Sequence, residues 1–130
     1  RIVESDKRYH PDAYEFVSGA VSYTIKRMNR EKNPRGSRHI SGRELLDGTL
    51  AYAVEQFGPL APEVLESWGV TDGPDIGNIV YNMIRVELLS ASPEDSRSDF
   101  NSLPDIPGFL RRRFEEEARN IPVVKPPVIA

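Results

Sequence analysis

The sequence predicts a mainly α-helical fold, a compact helical domain with at most one short β-hairpin, and three observations lead to this prediction. Apolar residues recur at the three- and four-residue spacing of an amphipathic helix in at least four segments. The run Ser41-Gly42-Arg43-Glu44 has the pattern of a capping box, which marks the start of a helix. Alternating apolar and polar residues, which would indicate strands, are rare, and residues 88–100 are the one place where a hairpin fits.

Length and composition favour one domain over residues 1–119, followed by a Pro-rich extended tail over residues 120–130. The absence of cysteine excludes disulfides, zinc–thiolate sites and cysteine nucleophiles. No apolar run approaches the roughly 18 residues of a membrane span, so we expect a cytoplasmic protein with no membrane partner. The chain begins at Arg1 rather than at methionine, which leaves open that a leader precedes it.

The predicted helices follow from their start and stop signals. Residues 1–9 have the composition of a polar lead, and a first helix should run from Pro11, a favoured first-turn residue, to about Arg30. The second helix should begin after Ser41, with Glu44 as its reciprocal partner, and end at Gly58, because Pro59 follows. Oligomeric state is not indicated by any of these patterns.

The second half of the chain predicts three shorter helices. The third should span residues 62–68 and end at Gly69, and the fourth should begin near Pro74. Residues 90–104 are irregular, with Phe100 and Leu103 as expected apolar anchors. The last helix should lie around residues 109–117 and carry the ion pairs Arg111–Glu115 and Arg113–Glu117, since their spacing is i,i+4.

One hydrophobic core is expected to join these helices. Its predicted members are Phe16, Val17, Ile25, Leu46, Val54, Phe57, Leu65, Trp68, Ile76, Val80 and Met83. Phe57 and Trp68, which stand at predicted helix ends, are interpreted as core residues rather than as platforms for a ligand.

Charge is distributed unevenly along the chain. The segment 26–43 holds seven basic side chains against Glu31 alone, a net charge of +6. Because the whole chain carries −3, the remaining residues carry −9. Such asymmetry can mark a contact with nucleic acid or with an acidic partner, and its alternative is a solvated loop. The candidate nucleic-acid-binding residues are Lys26, Arg27, Arg30, Lys32, Arg35, Arg38 and Arg43.

Catalytic and metal-binding patterns are weak. His10 and His39 are the only histidines, and Ser41, two residues after His39, is explained as a helix cap rather than as a nucleophile. Glu94, Asp95 and Asp99 could gather a divalent cation, but they lack the alternation and the glycine of a calcium loop. We therefore expect no catalytic residue, no metal site and no cofactor.

Several short motifs resemble a small uncharacterised bacterial family associated with planctomycetes and verrucomicrobia. They are Pro11-Asp12-Ala13-Tyr14-Glu15-Phe16-Val17, Tyr23-Thr24, Arg38-His39-Ile40-Ser41-Gly42-Arg43-Glu44-Leu45-Leu46, Phe57-Gly58-Pro59, Trp68-Gly69-Val70, Asp75-Ile76-Gly77 and Asp99-Phe100. The resemblance covers residues 9 to about 100 and implies a bacterial source. It brings no activity with it.

A second resemblance, over residues 45–97, is to winged-helix regulators of the MarR type. It rests on Gly58-Pro59-Leu60, Val64-Leu65, Trp68-Gly69-Val70, Ile79-Val80, Leu88-Leu89 and the wing-like Ser92-Pro93-Glu94-Asp95-Ser96-Arg97. It implies a helix-turn-helix core over about residues 41–100. Two departures weaken DNA reading: the turn before the fourth helix is about one residue longer than usual, and that helix carries only Arg85, with Asp75 near its N-terminus.

The sequence therefore predicts a non-enzymatic binding module. Its first expected partner is nucleic acid, contacted through the basic segment 26–43. The alternative is a protein-interaction adaptor that uses the winged-helix-like scaffold and the C-terminal tail. An acidic pI of about 5.4 for the whole chain argues against a dedicated DNA-binding protein.

Overall fold

A computed structural model of the chain describes residues 6–29, 39–91 and 95–120. The elements in these residues are α1 (Pro11–Arg27), α2 (Gly42–Phe57), a 3₁₀ turn (Gly58–Leu60), α3 (Ala61–Ser67), α4 (Gly73–Arg85), a second 3₁₀ turn (Arg97–Phe100) and α5 (Ile106–Asn120). The predicted mainly helical fold is confirmed. No strand occurs within these three ranges, and residues 92–94 of the predicted hairpin region lie outside them.

Helices α1 and α2 form an antiparallel pair. The Phe16 ring lies 5.2 Å from the Tyr52 ring and 5.7 Å from the Phe57 ring, measured between centroids. Further along α1, Thr24 packs against Gly48, which is earlier in α2. Residues later in α1 contact residues earlier in α2, so the two helices run in opposite directions. The missing side chain at Gly48 is what admits Thr24, because a Cβ there would lie 2.8 Å from the Thr24 Cβ.

Local capping explains where two of the helices begin. The Ser41 hydroxyl accepts the Glu44 N–H at 3.1 Å, and the Glu44 carboxylate accepts the Ser41 N–H at 2.8 Å, which confirms the predicted capping box. Helix α4 begins with a second box, in which Asp72 accepts the Asp75 N–H at 2.8 Å. Asp75 stands near the helix N-terminus as expected, whereas the cap role of Asp72 was not predicted.

The first helix ends earlier than predicted. Its last residue is Arg27, and Asn29 adopts a φ of 62°, a left-handed conformation that stops a helix. The expected end at Arg30 is therefore too late, and Arg30 itself lies outside the described residues.

The core contains most of its predicted members. Phe16, Val17, Leu46, Leu65, Ile76, Val80 and Met83 are buried, and Val54, Phe57 and Trp68 are partly buried against them. Ile25 is half-buried and lines a cleft instead. The expected anchor Phe100 is 3% exposed, and Leu103 packs against the same core.

Of the described residues that precede α1, Tyr9 contradicts the expectation of a polar lead. Tyr9 is only 2% exposed, and its hydroxyl donates to Asp75 at 2.6 Å and accepts from Asn78 at 2.9 Å. Asp6 accepts from the Asn82 amide at 2.7 Å. Long-range hydrogen bonds to α4 thus hold residues 6–9 against the domain. No pattern within residues 6–9 themselves predicts these bonds.

Helix α5 packs on α3, and this contact changes one predicted ion pair. Arg111 bonds to Glu66 at 2.6 Å and to Glu63 at 3.5 Å, both on α3, rather than forming the expected pair with Glu115. Arg113 and Glu117 do pair, at 3.5 Å. Arg111 therefore joins two helices that are distant in sequence.

Candidate functional site

Three of the seven predicted nucleic-acid-binding residues lie at one end of the α1–α2 pair. Lys26 and Arg27 are in the last turn of α1, and Arg43 is in the first turn of α2. Because the helices are antiparallel, these two turns are neighbours. We call Lys26, Arg27 and Arg43 the basic end. The other four predicted residues, Arg30, Lys32, Arg35 and Arg38, lie outside the described residues.

The side chains of the basic end are exposed, and none forms an ion pair with a described residue. Lys26 and Arg27 have a structural explanation, because cations at a helix C-terminus interact favourably with the helix dipole. Arg43 has none of this kind, since it stands near the positive end of α2. By contrast, Arg111 and Arg113 are paired with carboxylates, so their charge is already compensated.

A cleft of about 350 Å³ lies beside the basic end, between α1, α2, α4 and residues 89–100. Apolar side chains form the larger part of its walls. The contributing side chains are Val21, Ile25, Ile40, Leu45, Val80, Ile84, Leu89 and Phe100. Gly42 at the start of α2 lets Asp99 approach, because a Cβ at Gly42 would lie 2.6 Å from the Asp99 Cβ. The cleft therefore combines an apolar interior with polar groups at its edge.

The polar edge of the cleft is of mixed charge. His39 Nε2 lies 3.2 Å from Asp95 Oδ1. Arg97 stacks over the Tyr81 ring at 5.0 Å and donates to Asn78 at 3.0 Å. Burial, together with the nearby carboxylates of Asp95 and Asp99, raises the pKa of Tyr81. Anionic ligands would meet both attraction and repulsion here.

Of the residues weighed for catalysis and metal binding, His39, Ser41, Asp95 and Asp99 line the same cleft. The Ser41 hydroxyl is engaged by the Glu44 N–H in the cap, and His10 Nδ1 accepts the Asp12 N–H at 3.0 Å. Among the residues that the structure describes, no group of three or more His, Cys, Asp or Glu side chains could hold a metal ion. Glu94 lies outside the described residues.

The N-terminus of α4, the helix expected to read DNA if the winged-helix resemblance held, is occupied by the protein itself. Gly73 N–H donates to the Leu103 carbonyl at 2.7 Å, and Ile106 N–H donates to the Thr71 carbonyl at 2.8 Å. Asp72 and Asp75 add two carboxylates at this end. Bases and phosphates are contacted by exposed donors and cations, whereas this helix end presents two carboxylates and its Gly73 N–H is already bonded within the protein.

These two carboxylates respond differently to their surroundings. Burial raises the pKa of Asp72. Burial also acts to raise the pKa of Asp75, but hydrogen bonds from Tyr9 and Thr71 outweigh it, so the pKa of Asp75 is lowered. Asp75 is therefore held as an anion by its partners, which makes it a structural group of the α4 cap.

A second concave surface, which the sequence analysis missed, lies at the opposite end of the α1–α2 pair. We call it the aromatic groove; it is about 440 Å³ in volume, and its lining residues are Asp12, Glu15, Phe16, Gly19, Tyr52, Gln56, Phe57 and Trp68. Asp12, Glu15 and Gly19 are spaced as neighbours on one face of α1, which is the sequence signal that could have identified it. Phe57 and Trp68 pack on the core as predicted, but each keeps part of its surface exposed in this groove.

Comparisons with known proteins return no match: no family model, no curated protein and no solved structure matches the chain. None of the described helices is both long enough and apolar enough to cross a membrane. Any function must therefore be argued from the surfaces described above.

Proposed function

We propose that the chain is a non-enzymatic binding module that contacts nucleic acid through the basic segment 26–43. The observation that carries this proposal is the convergence of Lys26 and Arg27 with Arg43, which is 16 residues further along the chain than Arg27, at one exposed end of the helix pair. Four more basic residues lie between them in the sequence. This concentration of cations suits phosphate groups.

The contact is proposed to be with the phosphate backbone rather than with bases. Lysine and arginine side chains without fixed partners can follow a phosphate chain, and such contacts carry no sequence information. Base reading needs side chains presented in a groove by a helix, and the candidate helix α4 begins with the carboxylates of Asp72 and Asp75. We therefore expect binding to RNA and DNA with little sequence preference.

The test is a binding titration with labelled single-stranded RNA and duplex DNA at several salt concentrations. The triple variant Lys26→Ala, Arg27→Ala, Arg43→Ala should weaken binding to all sequences about equally. The slope of log affinity against log salt should fall by about 0.9 for each duplex phosphate contact that is lost. Changing Arg30, Arg35 and Arg38 together to Ala should act in the same direction.

A matched control removes the same amount of charge elsewhere. Lys7, Arg112 and Arg119 are exposed and make no ion pair with a described residue, and none belongs to the basic segment. Their triple replacement by Ala should leave affinity and salt slope nearly unchanged. Equal losses in the two triple variants would mean that only net charge matters, and no binding at micromolar protein in low salt would reject the proposal.

A protein-interaction adaptor is the second candidate function, and the aromatic groove favours it. The groove has partly exposed aromatic rings, which are enriched at protein interfaces, and its carboxylates would repel a phosphate group. The C-terminal tail, residues 121–130, lies outside the described residues.

A further inference from the structure

We infer that the aromatic groove binds an arginine side chain presented by a partner protein. This inference is independent of the proposed contact with nucleic acid, because the groove is at the opposite end of α1 and α2 and carries the opposite charge. Every residue that lines the groove belongs to the described part of the chain.

The rings of the groove are packed together but keep exposed surface. Phe16 is the centre of the cluster, with the Tyr52, Trp68 and Phe57 rings at 5.2, 5.5 and 5.7 Å. Phe16 itself is buried, whereas the other three rings are half-buried. Tyr52 can lie across α1 because residue 19 is glycine, where a Cβ would be 2.6 Å from the Tyr52 hydroxyl. Tyr52, Phe57 and Trp68 therefore each leave part of their surface open to a cation.

The charges around these rings are negative. Asp12 and Glu15 line the groove from α1, and both are exposed. The carboxyl end of α2 is adjacent, and the last turn of that helix contains no basic residue. No lysine or arginine lines the groove. His10 Nδ1 is 3.8 Å from Asp12 Oδ2, but it accepts the Asp12 N–H and therefore presents no proton to that carboxylate.

The shape of the groove favours a guanidinium group over a compact ammonium group. The Tyr52 and Phe57 rings are tilted from the Phe16 ring by 31° and 32°, whereas the Trp68 ring stands at 50° to Phe16 and at 78° to Phe57, so part of the surface is flat and Trp68 borders it. A planar guanidinium can stack on such a surface while its N–H groups reach carboxylates at the edge. Asp12 and Glu15 stand one helical turn apart, and the Tyr52 hydroxyl has no hydrogen-bond partner among the described residues.

The arginine is assigned to a different protein rather than to a second copy of this chain. Joining the basic end of one copy to the groove of the next would be a head-to-tail contact, which builds closed rings or open chains of molecules. A different partner requires no such assembly.

The single tryptophan of the chain, Trp68, lines the groove and provides a direct optical signal. The experiment titrates the intact protein with a capped Gly-Arg-Gly-Arg-Gly peptide and follows Trp68 fluorescence. The matched probe replaces both arginines with citrulline, which keeps the shape but removes the charge. We expect a saturable change with the arginine peptide and at least about fivefold weaker binding of the citrulline peptide.

The protein variants separate a local site from general electrostatics. Asp12→Asn with Glu15→Gln should weaken binding of the arginine peptide about fivefold. The control, Glu115→Gln with Glu116→Gln, removes two exposed carboxylates of α5 and should change it little. Thermal unfolding of both double variants verifies that each remains folded.

Four outcomes would overturn the inference. They are the absence of a saturable change at millimolar peptide, equal binding of the citrulline peptide, equal losses in the two double variants, and tighter binding of tetramethylammonium than of the arginine peptide. Sedimentation of the protein alone supplies a further test. If the protein self-associates and the double variant Asp12→Asn with Glu15→Gln does not, the groove binds a second copy of the chain. That result would reject a different protein as the partner.

Discussion

The two ends of the α1–α2 pair are built from the same two helices and differ in almost every chemical respect. One end presents Lys26, Arg27 and Arg43, and the other presents the rings and carboxylates of the aromatic groove. Glu15 and Lys26 are separated by about 16 Å along α1, at 1.5 Å per residue. One helical hairpin can thus present two surfaces of opposite charge, because its antiparallel register brings together residues that are distant in sequence.

The largest effect on stability should come from the groove end. Trp68→Ala removes a half-buried ring that lies 5.5 Å from Phe16 and 5.7 Å from Phe57. We expect a loss of about 2–4 kcal/mol in the free energy of unfolding, somewhat less than for a fully buried tryptophan. Denaturant unfolding measures it, and Leu60→Ala, at a side chain that is 63% exposed, is the control expected to change stability by less than about 0.5 kcal/mol. If the ends are independent, affinity for nucleic acid should not change.

The register that creates both ends can be disturbed at Gly48. A Cβ in Gly48→Ala would collide with the buried Thr24 side chain, and we expect destabilisation of about 1–3 kcal/mol. This is opposite to the gain of about 1 kcal/mol that alanine brings in a helix without such a contact. Introducing Thr24→Ala as well should relieve the collision, which a double-mutant cycle would measure as a favourable coupling. A more stable Gly48→Ala variant would contradict the observed packing.

A smaller effect is expected at the basic end. Ser41→Ala removes the side-chain acceptor of the Glu44 N–H and should lower stability by about 1 kcal/mol. Ser18→Ala, at an exposed position within α1, is the matched control and should be neutral or slightly stabilising. Binding of the arginine peptide should remain unchanged in both variants. If the two variants were equally stable, the Ser41 cap would not contribute to the stability of the protein.

The smallest effect concerns Asp6, which lies in neither end and serves as a reference for them. Hydrogen bonds from the Arg8 side chain, and then from Asn82, hold the pKa of Asp6 well below its ordinary value despite burial. The ionised form therefore contributes stability above about pH 4, and this contribution is lost as the pH falls through the folded-state pKa. Because the Arg8 side chain is 61% exposed, solvent screening limits this contribution to stability to about 1 kcal/mol or less.

The measurement is thermal unfolding of Asp6→Asn and the parent protein between pH 7 and pH 2. The variant should be less stable at pH 7, and the two curves should approach each other under acid. Asp47→Asn, at an exposed position on α2, is the control and should follow the parent throughout. If the difference in stability between the variant and the parent were the same at all pH values, the ionised carboxylate of Asp6 would not be its source.

Features that depend on neighbours within four residues were predictable. The Ser41–Glu44 capping box and the Arg113–Glu117 pair were predicted correctly because both partners lie in one helical turn. The Asp72–Asp75 box has the same spacing and could have been read in the same way. Arg111 shows the limit of this reasoning: its i,i+4 partner was available, but α3 brings Glu66 within 2.6 Å, 45 residues away in the chain.

Helical spacing and capping are local properties, and they predicted the helical class, the starts of α1 to α4 to within about one residue and most of the core; α5 begins at Ile106, earlier than the expected residue 109. Only the tertiary structure decided which surfaces these helices form together. Tyr9 meets Asp75 across 66 residues, and Asp6 meets Asn82 across 76. Similarly, Gly19 beside Tyr52 and Gly48 beside Thr24 set the register of α1 against α2. Close packing admits one register for such a pair of helices, and that register assigns the cations to one end and the aromatic groove to the other.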